Sequence, residues 1–320
     1  MRAAWFVFAG LLALSLPACG DDDGDTDTGV PDTGIPDSSV DSDVPDGSDD
    51  TGTGDSSMGD GGDGGSTMSV TLNFAAKVGD EDFACGGSYD NIGTTDSTIT
   101  VVEYRFYVHD VRLVNDSDEE VPLTIENDGM WALDGTVLLD FEDGTNGCDF
   151  GNAAMNSTVT GTVPEGTYTG LRFRMGVPFD QNHNVEAATQ PAPLNLTSMW
   201  WNWQGGYKFL RIDGTSTGLS GWAQHIGSTG CDGSATGGVT MCSNPNIAEI
   251  SFDTFDASTD TVVADLALLL QDTDIDNNTD ATMPGCQAQP TDPDCAGTFA
   301  NLGLDHMGVM GDTQTFFRVE

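Results

Sequence analysis

Three tryptophans within four residues, Trp200, Trp201 and Trp203, stand in the block MWWNWQGGYKFLR. An indole can pack a core, stack on a sugar ring, or give up an electron to a strong oxidant, and all three readings of the block stay open. On a strand the three rings cannot all face one way, so at least one belongs near the surface or in a pocket. The histidines are His109 in RFYVHDVRL, His183 in PFDQNHNV, His225 in WAQHIGSTGC and His306 in GLDHMG. Neutral imidazole suits copper and zinc, and Cu(I) adds affinity for thioethers such as those of Met199 and Met307. No two histidines have the spacing of a zinc site on one helix, so a metal site must be assembled from separate loops. Taken singly, each histidine reads equally as a structural or solvent-facing residue.

The segment DTDIDNNTD sets Asp272, Asp274, Asp276, Asn278 and Asp280 at alternate positions, as oxygen donors are set in a calcium loop. The match is partial. An EF-hand loop has Gly where Asn277 stands and a bidentate Glu where Met283 stands, so a solvated acidic turn is the alternative. Carboxylates are too numerous elsewhere to single out an acid/base pair. With no GxSxG, Walker loop or dinucleotide fingerprint either, the sequence gives no expectation of an enzyme.

The elements that must position these residues begin after a long preamble. Arg2 followed by AAWFVFAGLLALSLPAC has the charged start, short apolar middle and small-residue end of a secretory signal over residues 1–19. Leu16, Pro17, Ala18 and Cys19 resemble the lipobox of bacterial lipoproteins, in which the cysteine is acylated. Residues 20–67 contain fifteen Asp and no Lys or Arg. So little apolar surface cannot offset chain entropy, and like charges extend the chain, which predicts a disordered acidic tether. Location in the cell envelope, lipid-anchored in the periplasm or at the outer membrane, follows from these two segments together.

Apart from Cys19 there are six cysteines, Cys85, Cys148, Cys231, Cys242, Cys286 and Cys295, an even number in an exported chain. Six allow about fifteen pairings. Short loops close at least entropic cost, which favours Cys231 with Cys242 and Cys286 with Cys295 and leaves Cys85 for Cys148. The absence of any CxxC spacing argues against a thiolate metal cluster.

From 68 to 320 alternation recurs in SVTLNFAAKV, TITVVEYRFYVHDVRLV, GTVLLDFEDG, STVTGTVPEGTYTGLRFRMGV and IAEISFDTFD, each bounded by turn residues. This predicts a single all-β domain, an antiparallel sandwich or barrel with long loops. Helix is expected to be scarce, with the best candidates around Leu196 to Trp203 and over Ala264 to Leu270. The formal net charge of −43, from 9 basic and 52 acidic residues, excludes a nucleic-acid footprint and favours cations or a basic protein as company.

The ordered blocks RFYVHDVRLV, LLDFEDGTNGC, GTYTGLRFRMGVPF, MWWNWQGGYKFLR, HIGSTGC and CSNPN resemble the MbnP-like family, also called the metallo-mystery pair four-Cys family. The resemblance runs from about Val70 through nearly all of the domain. It implies an exported copper-binding protein whose tryptophan is oxidised to kynurenine by a partner dihaem cytochrome c peroxidase of the MbnH type, for copper storage, delivery or sensing. By position in the shared blocks it implies His183 and His225 as metal ligands, with His109 next. The modified ring is expected among Trp200, Trp201 and Trp203, with Trp131 or Trp222 as the outside choices. The tether and lipid anchor depart from the simplest form of the family. The competing expectation, from a different class, is a calcium-stabilised structural or glycan-binding β domain.

Overall fold

A computed structural model describes residues 65–183 and 186–320. The expected signal, the lipidation site Cys19 and nearly all of the acidic tether lie outside them. The first strand, Thr67–Val78, alternates exposed and buried residues along its length, as a half-buried strand should. It pairs antiparallel with Thr158–Pro164 and parallel with Thr261–Asp265, which in turn pairs with Phe317–Val319. These strands, with the short Glu81–Asp82, make a five-stranded sheet.

A second, ten-stranded sheet is organised on Ser97–Asn115. This strand is long enough for Leu210–Ser216, Tyr168–Met175 and Thr136–Asp140 all to pair with it. Its segment from Tyr104 to His109 is buried on both faces. Tyr104, Phe106 and Val108 enter the main core between the sheets, whereas Tyr107, pointing the other way, enters a smaller cluster with Met199, Tyr207 and Phe209. Across the main core Phe74 of the first sheet meets Phe173 of the second at 5.6 Å, and Phe106 meets Phe317 at 5.4 Å, both edge to face.

The all-β sandwich is as expected, with one refinement. Pairing is mostly antiparallel, but Thr67–Val78 runs parallel to Thr261–Asp265, and Trp222–Ile226 runs parallel to Gly285–Cys286. Long excursions between those strands allow the parallel pairings, which no hairpin could make. The Ala264 to Leu270 expectation resolves into a helix at Leu266–Leu270, started by the Asp265 carboxylate accepting from the amides of Ala267 and Leu268. Helix around Leu196 to Trp203 is not found. A single 3₁₀ turn, Thr197–Met199, leads into a strand at Trp200–Asn202, in keeping with the β preference of tryptophan.

The disulfides are Cys85–Cys148, Cys231–Cys242 and Cys286–Cys295, the pairing favoured by loop length.

Candidate metal centre

The tryptophan block is a hairpin. Trp200–Asn202 pairs with Gly206–Tyr207, and the Asn202 side chain accepts from the amides of Gln204 and Gly205 to close the turn. Gly206 has φ +70°, and a Cβ there would lie 2.4 Å from Asn182 Oδ1. That close approach lets Asn182 Oδ1 accept from the Tyr207 amide at 2.8 Å, while Asn182 Nδ2 reaches Ser228 Oγ at 3.2 Å. Asn182 ends the short helix Phe179–Asn182 and is followed by His183. The glycine turn therefore docks His183 beside the tryptophans.

Asn182 Nδ2 also sits 3.2 Å from His183 Nε2, so an N–H faces that nitrogen and Nε2 is the lone-pair side of the ring. Cys242 Sγ lies at 3.2 Å from the same nitrogen. Desolvation lowers the His183 pKa, with the Trp203 backbone opposing, and this keeps the ring neutral at physiological pH.

His225 is buried on the strand Trp222–Ile226, opposite Arg211 of Leu210–Ser216. Its Nε2 is 2.6 Å from Asp213 Oδ1, and its Nδ1 is buried with no hydrogen-bond partner. Burial pushes its pKa down, against the pull of Asp213 upward. A neutral ring must give its one N–H to the carboxylate, which leaves the Nδ1 lone pair bare. Carboxylate to imidazole with the second nitrogen free is how a metal-binding histidine is oriented.

Two residues further on, Gly227 lies under Trp201, where a Cβ would come within 2.5 Å of the indole. Trp201 is half-buried and lines a cavity of about 530 Å³ with Asn202, Gly205, Ser228, Thr229 and Cys231. Each of the three clustered residues is half-buried, where the spacing called for at least one ring near the surface or in a pocket. Trp200 packs into the smaller apolar cluster, as does Trp131, which also borders a separate cavity beside Thr124 and Asn156. Trp222 is core.

The other candidates stand elsewhere. His109 Nδ1 is held at 2.9 Å by the Gly176 carbonyl, and its pKa is lowered by burial while Asp110 and Asp180 oppose. His306 places Nε2 2.7 Å from the Asp292 carbonyl and packs at a tilt against Phe299, ring centroids 4.6 Å apart. In the acidic loop, Asp274 caps the amides of Asp276 and Asn277. Asp276 accepts from Ser97, Thr95 and Gly218, which lowers its pKa to about 2 despite some desolvation. Those oxygens pin the loop to the sheet, which is the acidic-turn reading. Among the described residues, the group of three metal-type ligands within 4.8 Å of one another is His183, Cys231 and Cys242, and the loop carboxylates form none.

Beneath the tryptophan hairpin lies a charged layer that sequence reasoning did not pick out. Arg105 pairs with Glu103 at 2.5 Å and with Glu142 at 2.8 Å, and Arg211 pairs with Glu103 at 3.2 Å and Asp213 at 2.8 Å. Arg211 and Lys208 both donate to the Ser198 carbonyl, at 3.1 and 2.6 Å, fixing the turn that precedes Trp200. Burial first, then Arg211, lowers the Lys208 pKa to about 8. The clue was present in VVEYRFYV, where Glu103 and Arg105 occupy successive positions on one face of an otherwise apolar strand.

The MbnP family model matches residues 67–288, most of the chain and all of the site just described. The chain belongs to the MbnP family. Among solved structures, MbnP from Methylosinus trichosporium is similar, with 29% identity and a TM-score of 0.70 over 79% of this chain and 98% of that one. No curated protein matches. Membership of the MbnP family supports a role connected with copper systems.

Proposed function

We propose that this MbnP-family domain is a copper-binding accessory protein whose site is completed by oxidation of Trp201. The observation that carries the reading is the Asp213–His225 pair, which leaves a bare, buried imidazole lone pair two residues before Gly227, on which Trp201 lies. His183, docked by the Gly206 turn against Asn182, supplies the second neutral imidazole. Two histidines are too few for a firm site. Opening the indole to kynurenine adds an aryl amine and a ketone, groups able to ligate where the intact ring cannot. The oxidant is a partner dihaem peroxidase of the MbnH type, and Trp201 suits it because its ring lines an open cavity, whereas Trp222 is enclosed. Copper is cargo to be stored, delivered or sensed, and the role is accessory rather than catalytic. Acylation at Cys19 and the acidic segment would hold the domain at the envelope membrane on a tether.

Co-expression with the haem partner should produce kynurenine or formylkynurenine at Trp201 in peptide mass spectra, and expression alone should not. Copper retained after desalting should fall at least tenfold in His225→Ala and His183→Ala and stay unchanged in His306→Ala. Modification confined to Trp131 or Trp222, or full copper retention by His225→Ala, would refute this assignment of the site.

A further inference from the structure

The second candidate ligand set, His183 with Cys231 and Cys242, does not depend on tryptophan oxidation. Cys231–Cys242 staples a two-stranded ribbon, Thr229–Ser234 with Gly238–Asn244, that forms a sheet of its own apart from the two large sheets. The ribbon is mostly exposed. Both cysteines of Cys286–Cys295 are fully buried, whereas Cys231–Cys242 and Cys85–Cys148 each join a buried cysteine to a half-buried one, and Cys231 also borders the open cavity. A reductant therefore reaches this disulfide before Cys286–Cys295, and the cavity beside Cys231 gives it an approach. The lone-pair side of His183 faces Cys242, and a disulfide sulfur has no hydrogen to give it. The ring thus gains nothing from its sulfur neighbour in the oxidised state.

Tetrahedral binding by two thiolates and an imidazole needs sulfurs about 3.8 Å apart and each about 3.5 Å from the nitrogen, from metal–sulfur and metal–nitrogen bonds of about 2.3 and 2.0 Å. The His183 nitrogen already stands 3.2 Å from one sulfur, and all three ligand atoms lie within 4.8 Å of one another. Breaking the S–S bond lets the sulfurs separate by the remaining distance through side-chain rotation alone. We propose that Cys231–Cys242 is a redox gate which, once reduced, forms with His183 a site for a thiophilic cation, with the adjoining cavity supplying water as the fourth ligand.

The reductant is a dithiol. One of its thiolates attacks a disulfide sulfur, its second thiol resolves the mixed disulfide, and two electrons and two protons pass to Cys231 and Cys242 as the dithiol becomes a disulfide. A divalent cation then displaces both thiol protons. His183 would serve the copper site in the oxidised protein and the thiolate site in the reduced one, so the state of the gate decides which is available.

The test uses the full chain expressed without any haem partner, so its outcome is separate from that of the Trp201 reading. Protein treated with a stoichiometric dithiol and desalted under nitrogen is titrated with Co(II), whose thiolate charge-transfer and tetrahedral d–d bands report the ligand set. Alkylation and mass mapping should show Cys231 and Cys242 freed before Cys286 and Cys295. The reduced protein should bind one Co(II) with thiolate bands, the oxidised protein should show none, and His183→Gln should bind at least tenfold more weakly. Earlier release of Cys286–Cys295, absence of thiolate bands after reduction, or equal binding by His183→Gln would each overturn the proposal. Mass mapping on the unmutated chain decides the first point even if a variant misfolds.

Discussion

Glu142 is a carboxylate with no exposed surface and no hydrogen bond of good geometry, packed among Glu103, Asp140 and Arg105. Burial, reinforced by Glu103 and opposed by Arg105, pushes its pKa up to about 8, and burial pushes Asp140 up to about 6. The layer holds the four acids Glu103, Asp140, Glu142 and Asp213 against Arg105, Arg211 and Lys208. It is neutral when one carboxyl keeps its proton. A folded-state pKa above the unfolded value means that the native protein binds the proton more tightly. The Glu142 contribution is therefore fully present below about pH 4.5 and is lost as pH rises toward 8. Replacing Glu142 with Gln removes that titration but keeps the shape. The melting temperature of Glu142→Gln should fall less between pH 5 and pH 8.5 than that of the wild type. Parallel profiles would show that Glu142 is ionised throughout and held by Arg105. His183 and His225 have lowered pKa values and so act with the opposite sign, but they are common to both proteins and cancel in the comparison.

At the scale of elements, the tryptophan hairpin depends on Gly206 and hardly at all on Gly205. Gly206 combines a left-handed φ with the side-chain and backbone oxygens of Asn182 at 2.4 and 2.6 Å from any added Cβ. At Gly205 the nearest atom is Trp201 Cβ at 3.4 Å, an ordinary contact. Gly206→Ala should cost roughly 1 to 3 kcal/mol from backbone strain alone. It should also displace Asn182 and with it His183. Gly205→Ala should stay within about 0.5 kcal/mol of wild type. Chemical denaturation measures both, and the His183 ring resonances should move only in the first. Equal losses would mean that the turn, rather than its seat on Asn182, is what the pair of glycines serves.

For the molecule as a whole, charge decides what can approach. Lys77 and the six arginines of the domain are all in ion pairs, and Lys208 is turned inward onto Ser198. The excess acid of the chain is thus unmatched at the surface, which suits a basic partner and long-range steering that salt weakens. Strand pairing begins at Thr67, where Thr67 meets Pro164, so the acidic segment before residue 65 precedes the first strand. Deleting residues 20–64 should leave the thermal midpoint of the domain within about 2 °C. A larger drop would show that the segment packs on the domain.

Period-two alternation was enough for the class of fold, because one buried face per strand leaves its mark on the chain locally. Loop length was enough for the three disulfides, since closure entropy depends on separation along the chain. The blocks that carry the family resemblance were legible for the same reason. Which residues meet at the site was not legible, because that depends on register between strands distant in sequence. Asp213 meets His225 only because Leu210–Ser216 pairs with Trp222–Ile226 in one register, and a slip of one residue would put the carboxylate on the opposite face. The parallel pairings and the charged layer under the hairpin belong to the same class of fact. The alternating acidic loop shows the converse, since its pattern fitted a calcium site but tertiary contacts with Ser97, Thr95 and Gly218 claim the Asp276 oxygens. Sequence sets the local preferences of each segment, and only the packing of distant segments decides which lone pairs are left free for a ligand.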